Sequence, residues 1–527
     1  MRNVSNAWKD NQTKTLINES FVEVSLDITN PDIREDATVS DNGSIYISNT
    51  NQVIDGLDKV FTPYCTLEQN LWLLDNNHKN IPSIDYGDCG YIGNVLCDEK
   101  CLFHSPPIIS INFTKVHHNS VPAITITWSS TYKEFATDFI VTIYNENKIV
   151  NVKEVVNNKL VKSIVEMEIV DFDRITIQIL KWCLPNKRVR IEEIFVGMNK
   201  IYSKKELFSY EHSQTIDPIS AALSKDEILF TIDNIDKTYN PLNPNGLSKY
   251  LMERQEVKTK YGFKLNTGKI EWIKGGTFYL SEWDSPQNGS IANFKARDLF
   301  EFLTTIYHDG AYSSEGESLY NLAEQLFEKA NLPLHNDGSV KWRIDESLQN
   351  IFTTAPLPVD TIANNLQLIA NAGCCVLFQD RDGLIHIEPI KQEITDYEIT
   401  SKNSYSKPNI EMYKPLKEVV IAYYDYSGEE PVKTEIIIAN ANVGETIVID
   451  NPLITTYNRA YVVGHWMREY LKNRMILQFN WRADPRLDAL DIIRNTNEFS
   501  TPHNVRITEV KYSYNGAFRG SSEGRVI

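Results

Sequence analysis

The residues best suited to chemistry are Cys89, Cys97, Cys101 and His104. Thiols and imidazole are soft ligands, and four of them can hold Zn²⁺ tetrahedrally. Cys97 and Cys101 stand in a CxxxC spacing, which is not a well-populated zinc pattern. The expectation is therefore small buried or free thiols, with no metal site and no cofactor. A zinc ion bound there would be structural, because protein groups would fill every position. Cys374-Cys375 follow a helical stretch and open an apolar strand, so they read as core.

One GxSxG match occurs, Gly520-Ser521-Ser522-Glu523-Gly524. A nucleophile elbow needs a following helix and later Asp and His partners. Neither can follow so near residue 527, and a flexible tail is expected instead. There is no HExxH. His117-His118 lie beside an expected strand and read as surface. Glu192 and Glu193 are adjacent on an expected strand, point to opposite faces and cannot act as a pair. Lys187, Arg188 and Arg190 could meet an acidic polymer or an acidic neighbouring subunit; their ordinary reading is a solvated turn and strand face. Trp72, Trp128, Trp182 and Trp272 could each stack a sugar ring, yet a Trp in a strand is usually core. No catalytic or cofactor-binding residues are expected.

The elements that would carry these residues are mostly strands. Residues 20–30 (SFVEVSLDITN) read as a first strand. Between 107 and 200 come ITITW (124–128), FIVTIY (139–144), KIVNVKEVV (148–156), ITIQILKW (175–182) and VRIEEIFVG (189–197). Short strands at this spacing predict an all-β sandwich. Strands continue through 205–305, where Gly275-Gly276 reads as a hairpin turn. Helices are expected at 318–330, 359–372 and 458–473. A hairpin is expected across Arg381-Asp382-Gly383, and strands return towards the C-terminus.

Composition agrees. The 527 residues are 42% hydrophobic and 11% aromatic, with 26 Tyr, a mix that favours strands and turns. The formal charge of -17 disfavours nucleic-acid grooves and anionic membranes. It suits a wall that must not hold passing DNA; simple solubility is the blander reading. No apolar run reaches the ~20 residues of a membrane span. Met1 to Leu16 shows no secretory signal, so folding in a cytoplasm is expected. Seven cysteines make no disulfide framework.

Four segments carry a resemblance. They are 25–56 with YCTLEQNLWLLD (64–75), SYEHSQTIDPISAALSKDEILFTIDNIDKTYNPLNPNG (209–246), SPQNGSIANFKARDLFEFL (285–303) and ITEVKYSYNGAFRGSSEGRVI (507–527). Their order and spacing resemble the tail hub, or tail-associated lysin-like minor structural, proteins of phages and prophages of Gram-positive bacteria. The stretch ending in IEEIFVG looks like an inserted galactose-binding-like (discoidin-type) sandwich.

The resemblance implies a mainly β, α+β, multi-domain baseplate-hub fold with tube-like β-barrel domains. Its expected parts are an N-terminal segment with the first hub strand (1–106), the sandwich (107–200), a hub barrel (201–310), an α/β part (311–395) and a β-rich C-terminal part (396–527). It implies a non-enzymatic ring, a homotrimer, joining the tail tube to a tip or spike in a virion or tail-like particle. Its partners would be a distal tail or tube protein, a tape-measure protein and a downstream spike, fibre or receptor-binding protein, with no specific nucleic-acid binding. The alternative is a carbohydrate- or receptor-binding tail protein acting through the sandwich on host surface sugars. A cell-wall peptidase is a third and weaker reading.

Overall fold

The computed structural model describes the chain outside residues 15–17, 31–32, 34–35, 44–49, 55–63, 66–67, 69–78, 81–89, 119, 287–288, 335–338, 429, 497–498 and 500. Strands take 48% of the chain and helices 14%, so β structure dominates.

The largest sheet draws on both ends of the sequence. Its strand order begins Met198–Tyr202, Ser20–Ile28, Glu256–Lys264, Ile270–Asp284, Ile291–Arg297, Lys225–Asp233, Leu207–Thr215. It continues through Pro502–Tyr514, Phe518–Val526 and Met475–Trp481 to Asn409–Met412. Ile492–Thr496 pairs with Pro502–Tyr514 and carries Ile394–Ile399. Strict alternation explains these strands. In Ser20–Ile28, Val22, Val24, Leu26 and Ile28 are fully buried, while Phe21 and Glu23 face outward. The sheet wraps one core containing Trp8, Tyr210, Tyr261, Phe278, Trp481 and Tyr512. None of the sheets closes into a barrel, which corrects the tube-like barrels expected. Thirteen strands share a common core, and the sheet stays open, ending on Met198–Tyr202, Asn409–Met412 and, on its branch, Ile394–Ile399.

The Gly275-Gly276 pair is not a turn. Both lie inside the continuous Ile270–Asp284 strand. Thr259 pairs with Gly276 and Lys260 with Lys274, which leaves Gly275 as the extra residue of a β-bulge. A Cβ on Gly275 would stand 2.3 Å from Thr259 Oγ1. The turn itself is at 265–269, where Gly268 takes a left-handed φ of 83°.

The sandwich emerges from a hairpin. Ile28 pairs with Met198, so Thr29 and Gly197 occupy the two positions of a turn between them. The Thr29 hydroxyl donates to the Val196 carbonyl, bringing the two ends together. Within the sandwich a five-stranded sheet (Thr38–Asp41, Ile108–His117, Phe172–Trp182, Ala136–Asn145, Lys148–Val155) faces a three-stranded one (Lys162–Ile169, Val121–Thr127, Glu193–Val196). Its core also takes in Ile33, Val39, Val53, Tyr91 and Cys97, ahead of residue 107. The expected 189–197 strand divides. Arg188–Ile191 pairs with Tyr91–Leu96, whereas Glu193–Val196 pairs with Val121–Thr127.

Among the described residues there are four helices: α1 (Asn6–Thr13), α2 (Leu319–Ala330), α3 (Ile362–Ala372) and α4 (Tyr457–Leu471). Ser5, Ser318, Thr361 and Thr456 cap them by accepting the backbone N–H three residues on. Helices α2 to α4 build a further core with Leu348, Ile387, Val419 and Ile421. Helix α1 lacks the apolar stripe by which the others are read, and it is anchored by buried Trp8 with the buried polar side chains of Asn11 and Gln12. The hairpin across residues 381–383 joins Val376–Gln379 to Ile385–Glu388 as expected.

The GxSxG stretch is likewise ordered. It lies in Phe518–Val526, paired on both sides, and is not a flexible tail. Its glycines face inward against bulky neighbours. A Cβ on Gly520 would stand 2.9 Å from Trp481 Cε2. Gly520→Val should therefore cost about 1–3 kcal/mol by overpacking, read as a lower urea midpoint. Ser521→Ala, on the opposite face, should leave the midpoint in place.

His386 gives a second expectation. Burial opposes its charge, but Asp380 and Glu388, at 3.1 and 3.5 Å, raise its pKa from 6.5 to about 9. A group with a raised folded pKa contributes stability below its unfolded pKa and loses it as pH rises through the folded one. Stability from this site should be full below pH 6.5 and gone above about 9. Urea titrations across that window should show the loss, and His386→Gln should flatten it.

Candidate functional site

The cysteine cluster assembles only in part. Cys89 and Trp72 lie outside the described residues. Cys97 ends the Tyr91–Leu96 strand and is buried, with Sγ 3.2 Å from the Leu184 carbonyl and 3.4 Å from the donating Lys187 N–H. Asp98 organises the loop beyond by accepting the N–H groups of Lys100 and Leu102, each at 2.8 Å. The same loop turns His104 out to solvent, 87% exposed, with only Asp98 nearby at 3.4 Å. Cys101 is instead drawn towards the end of the Phe172–Trp182 strand, where its carbonyl accepts the Trp182 N–H at 2.9 Å. The next residue, Cys183, is a neighbour that sequence spacing did not reveal. Burial pushes the thiols of Cys97, Cys101 and Cys183 up. Among the described residues no three His, Cys, Asp or Glu side chains come together to hold a metal.

The basic run is not a solvated face. Arg190 is buried, forks onto Glu68 and reaches Glu134 at 3.4 Å. Glu134 also takes the Trp182 indole N–H at 3.1 Å. Tyr132 covers the guanidinium at 4.9 Å. The Arg188 side chain donates to the carbonyls of Gly93 and Asn94. These charges are consumed internally, joining the end of the sandwich to Glu68.

His117 corrects a further expectation. It is only 4% exposed, packed between Phe113 and Phe172, with Nε2 3.0 Å from Asp36. Its neighbour His118 is on the surface beside Asp171. Glu192 sits between the two short strands and accepts the Ser130 N–H and hydroxyl at 2.7 and 2.9 Å. Trp128 and Trp182 pack edge to face in the sandwich core and are closed to ligands. Trp272 is 38% exposed on the large sheet.

The arrangement closest to a catalytic relay was not foreseen. His212 lies between Asp226 and Tyr261, with both contacts at 2.7 Å, and Tyr261 meets Tyr210 at 2.8 Å. All are buried in the sheet core, with Arg381 over the Tyr261 ring. Burial and the neighbouring Asp226 push Asp298 well above the usual carboxylate range. The only signal in the sequence is a polar residue at an inward position of the Leu207–Thr215 strand. A relay sealed from solvent cannot receive a substrate, so the group organises packing.

One cavity, about 460 Å³, lies where residues 1–9 meet 376–396 and 486–491. Phe378, Ile390 and Leu490 line it beside Arg2, Lys9, Glu388 and Asp396. Its rim charges are largely paired, as in Lys9–Asp396 at 2.7 Å and Lys391–Glu388 at 3.1 Å. The large sheet also leaves an edge open among the described residues. Asn409–Met412 pairs only with Met475–Gln478, and its Ile410 and Met412 are 58% and 53% exposed.

No family model matches the chain, and no curated protein matches it. Solved structures similar to it include a 43 kDa tail protein of prophage MuSo2 from Shewanella oneidensis. That similarity has 14% identity and a TM-score of 0.43, over 62% of this chain and 95% of that one. A prophage tail protein of Listeria monocytogenes is similar at 10% identity and a TM-score of 0.41, over 62% and 91%. The family 32 carbohydrate-binding module of Clostridium perfringens NanJ, solved with galactose, is similar at 15% identity and a TM-score of 0.20, over 34% and 99%.

Proposed function

We propose that the chain is a structural hub of a phage-type tail, a non-catalytic ring component at the tube's end. The observation that carries this reading is the large sheet. It draws strands from both halves of the chain and finishes on edges, 198–202, 394–399 and 409–412, each paired on one side only among the described residues. An exposed edge bearing Ile410 and Met412 is an aggregation hazard unless another chain covers it. Three copies closed into a ring would pair such edges, which agrees with the segments resembling tail hubs. The burial of the His212 relay and the pairing of the GxSxG strand support a role without catalysis.

In this reading the acidic surface keeps passing DNA from sticking. The ring meets a tube protein and the tape-measure protein on one side, and a spike, fibre or receptor-binding protein on the other. The hairpin ends at Thr29 and Gly197 support the sandwich as a separable decoration.

Mass measurement of assembled tail tips should give three copies, and a single copy in intact particles would overturn the ring. Ile410→Lys with Met412→Lys should leave the isolated protein folded by circular dichroism but exclude it from particles. Excising residues 30–196, so that Thr29 joins Gly197 as a two-residue turn, should leave a soluble core. Aggregation of that shortened protein would show instead that the sandwich is integral to folding.

A further inference from the structure

We propose that the outer face of the large sheet carries a sugar-stacking floor built from Phe21, Gly262 and Trp272, fitted to a neutral pyranose-based glycan. The three residues form one row across adjacent strands, Phe21 opposite Gly262 and Gly262 opposite Trp272. Directly opposed residues share a face. Their neighbours Val22, Phe263 and Ile273 are buried, so the row looks outward.

The indole lies down over the glycine. A Cβ on Gly262 would stand 2.8 Å from Trp272 Cε3 and 2.9 Å from Cζ3. One face of the ring therefore rests against the backbone while the side chain keeps its solvent exposure. Phe21 flanks the indole from the far side, with ring centroids 6.2 Å apart and the planes tilted by 53°, so the two rings form a shallow angled cleft. Trp8, Trp128, Trp182 and Trp481 are fully buried and Trp283, Trp342 and Trp466 half-buried, so among the described tryptophans Trp272 is the one that is exposed, at 38%.

The rim selects the ligand. The next row holds Glu23, Lys260 and Lys274. On the other side Glu19 pairs with Lys204 and Lys264, and Lys204 stands over the Phe21 ring at 5.7 Å. Donors and acceptors of both signs thus surround an aromatic floor. A pyranose matches this, with a C–H face for the rings and hydroxyls that both donate and accept. Lys204 and Lys264 are paired with Glu19, Lys274 with Asp382 at 2.9 Å, and Lys260 stands opposite Glu23, so these lysines are already matched by carboxylates and offer a polyanion little, while an aliphatic protein surface would strand the rim charges. The inference stands apart from the tail reading, since it concerns one face of the folded chain.

Saturation-transfer NMR on the full chain tests it, with chitotriose and lactose as probes at ~10 mM, where weak sugar binding is visible. Saturation of ring C–H protons is expected, falling about tenfold in Trp272→Ala and in Phe21→Ala. Gly262→Ala, which keeps both rings but lifts the indole, should weaken it as well. Circular dichroism confirms that each variant folds. Three results would overturn the proposal: no saturation with either probe, saturation that survives Trp272→Ala, or protection of Trp272 from oxidation in assembled particles. The last would mean that a protein neighbour covers the row. Intact sugar binding together with normal entry of the Ile410→Lys/Met412→Lys protein into particles would count against the tail reading alone.

Discussion

The fold depends on six residue pairs in which Tyr210–Thr215 lies antiparallel to Glu509–Tyr514. This is the seam where strands from the first three hundred residues meet the last fifty. Without it the large sheet would fall into two sheets and expose two further edges, 207–215 and 502–514. The seam is also where polar groups concentrate: His212 and Tyr210 stand on one strand, Tyr512 on the other. Arg381 is buried beneath them, reaching the carbonyls of Pro485 and Leu487 at 2.6 and 2.8 Å. Hydrogen bonds of this kind are directional, and in a dry core an unpaired partner is costly. They specify one register where hydrophobic pairing alone would allow a slip. Contacts spanning some three hundred residues also make folding slow, because the loop must close before the seam can form.

The same sheet governs how other parts attach. The sandwich is inserted where Ile28 and Met198 pair at the end of two strands, a place where extra chain can leave without removing ladder hydrogen bonds. Its junction is polar. Lys162 donates to Asn199 at 2.7 Å, and Asn199 in turn donates to Ser25 and Asp27. Lys249 faces Glu168 across the same gap at 3.6 Å. Apolar packing crosses here too, since Ala123 of the sandwich joins Met198 in the core of the large sheet.

Charge on this chain is mostly handled locally. Arg190 with Glu68 and Glu134, Arg486 with Asp484, and His386 with Asp380 and Glu388 are each neutralised within a few ångströms. Buried ions left single would be strongly destabilising. The groups that look reactive in isolation are thus tied into structure, and the surfaces left for function are edges and faces.

By itself the sequence determined the local layer. Period-two alternation marked Ser20–Ile28 and the sandwich strands, while the spacing of Leu319, Leu322 and Leu326 marked α2. These signals are short-range consequences of which side chains must leave water. Tertiary structure alone decided the rest. Gly275-Gly276 carries the same permissive backbone in a turn or a bulge, and only the partner strand's register made it a bulge. The closing glycines became an inner strand face because Trp481 fills the space above Gly520. Arg190 and His117 left the surface because carboxylates distant in sequence, Glu68 and Asp36, arrive to meet them. Trp128 and Trp272 look alike as strand tryptophans, yet one faces a second sheet and the other does not. In each case the outcome depends on a partner brought from far along the chain, which no local pattern encodes.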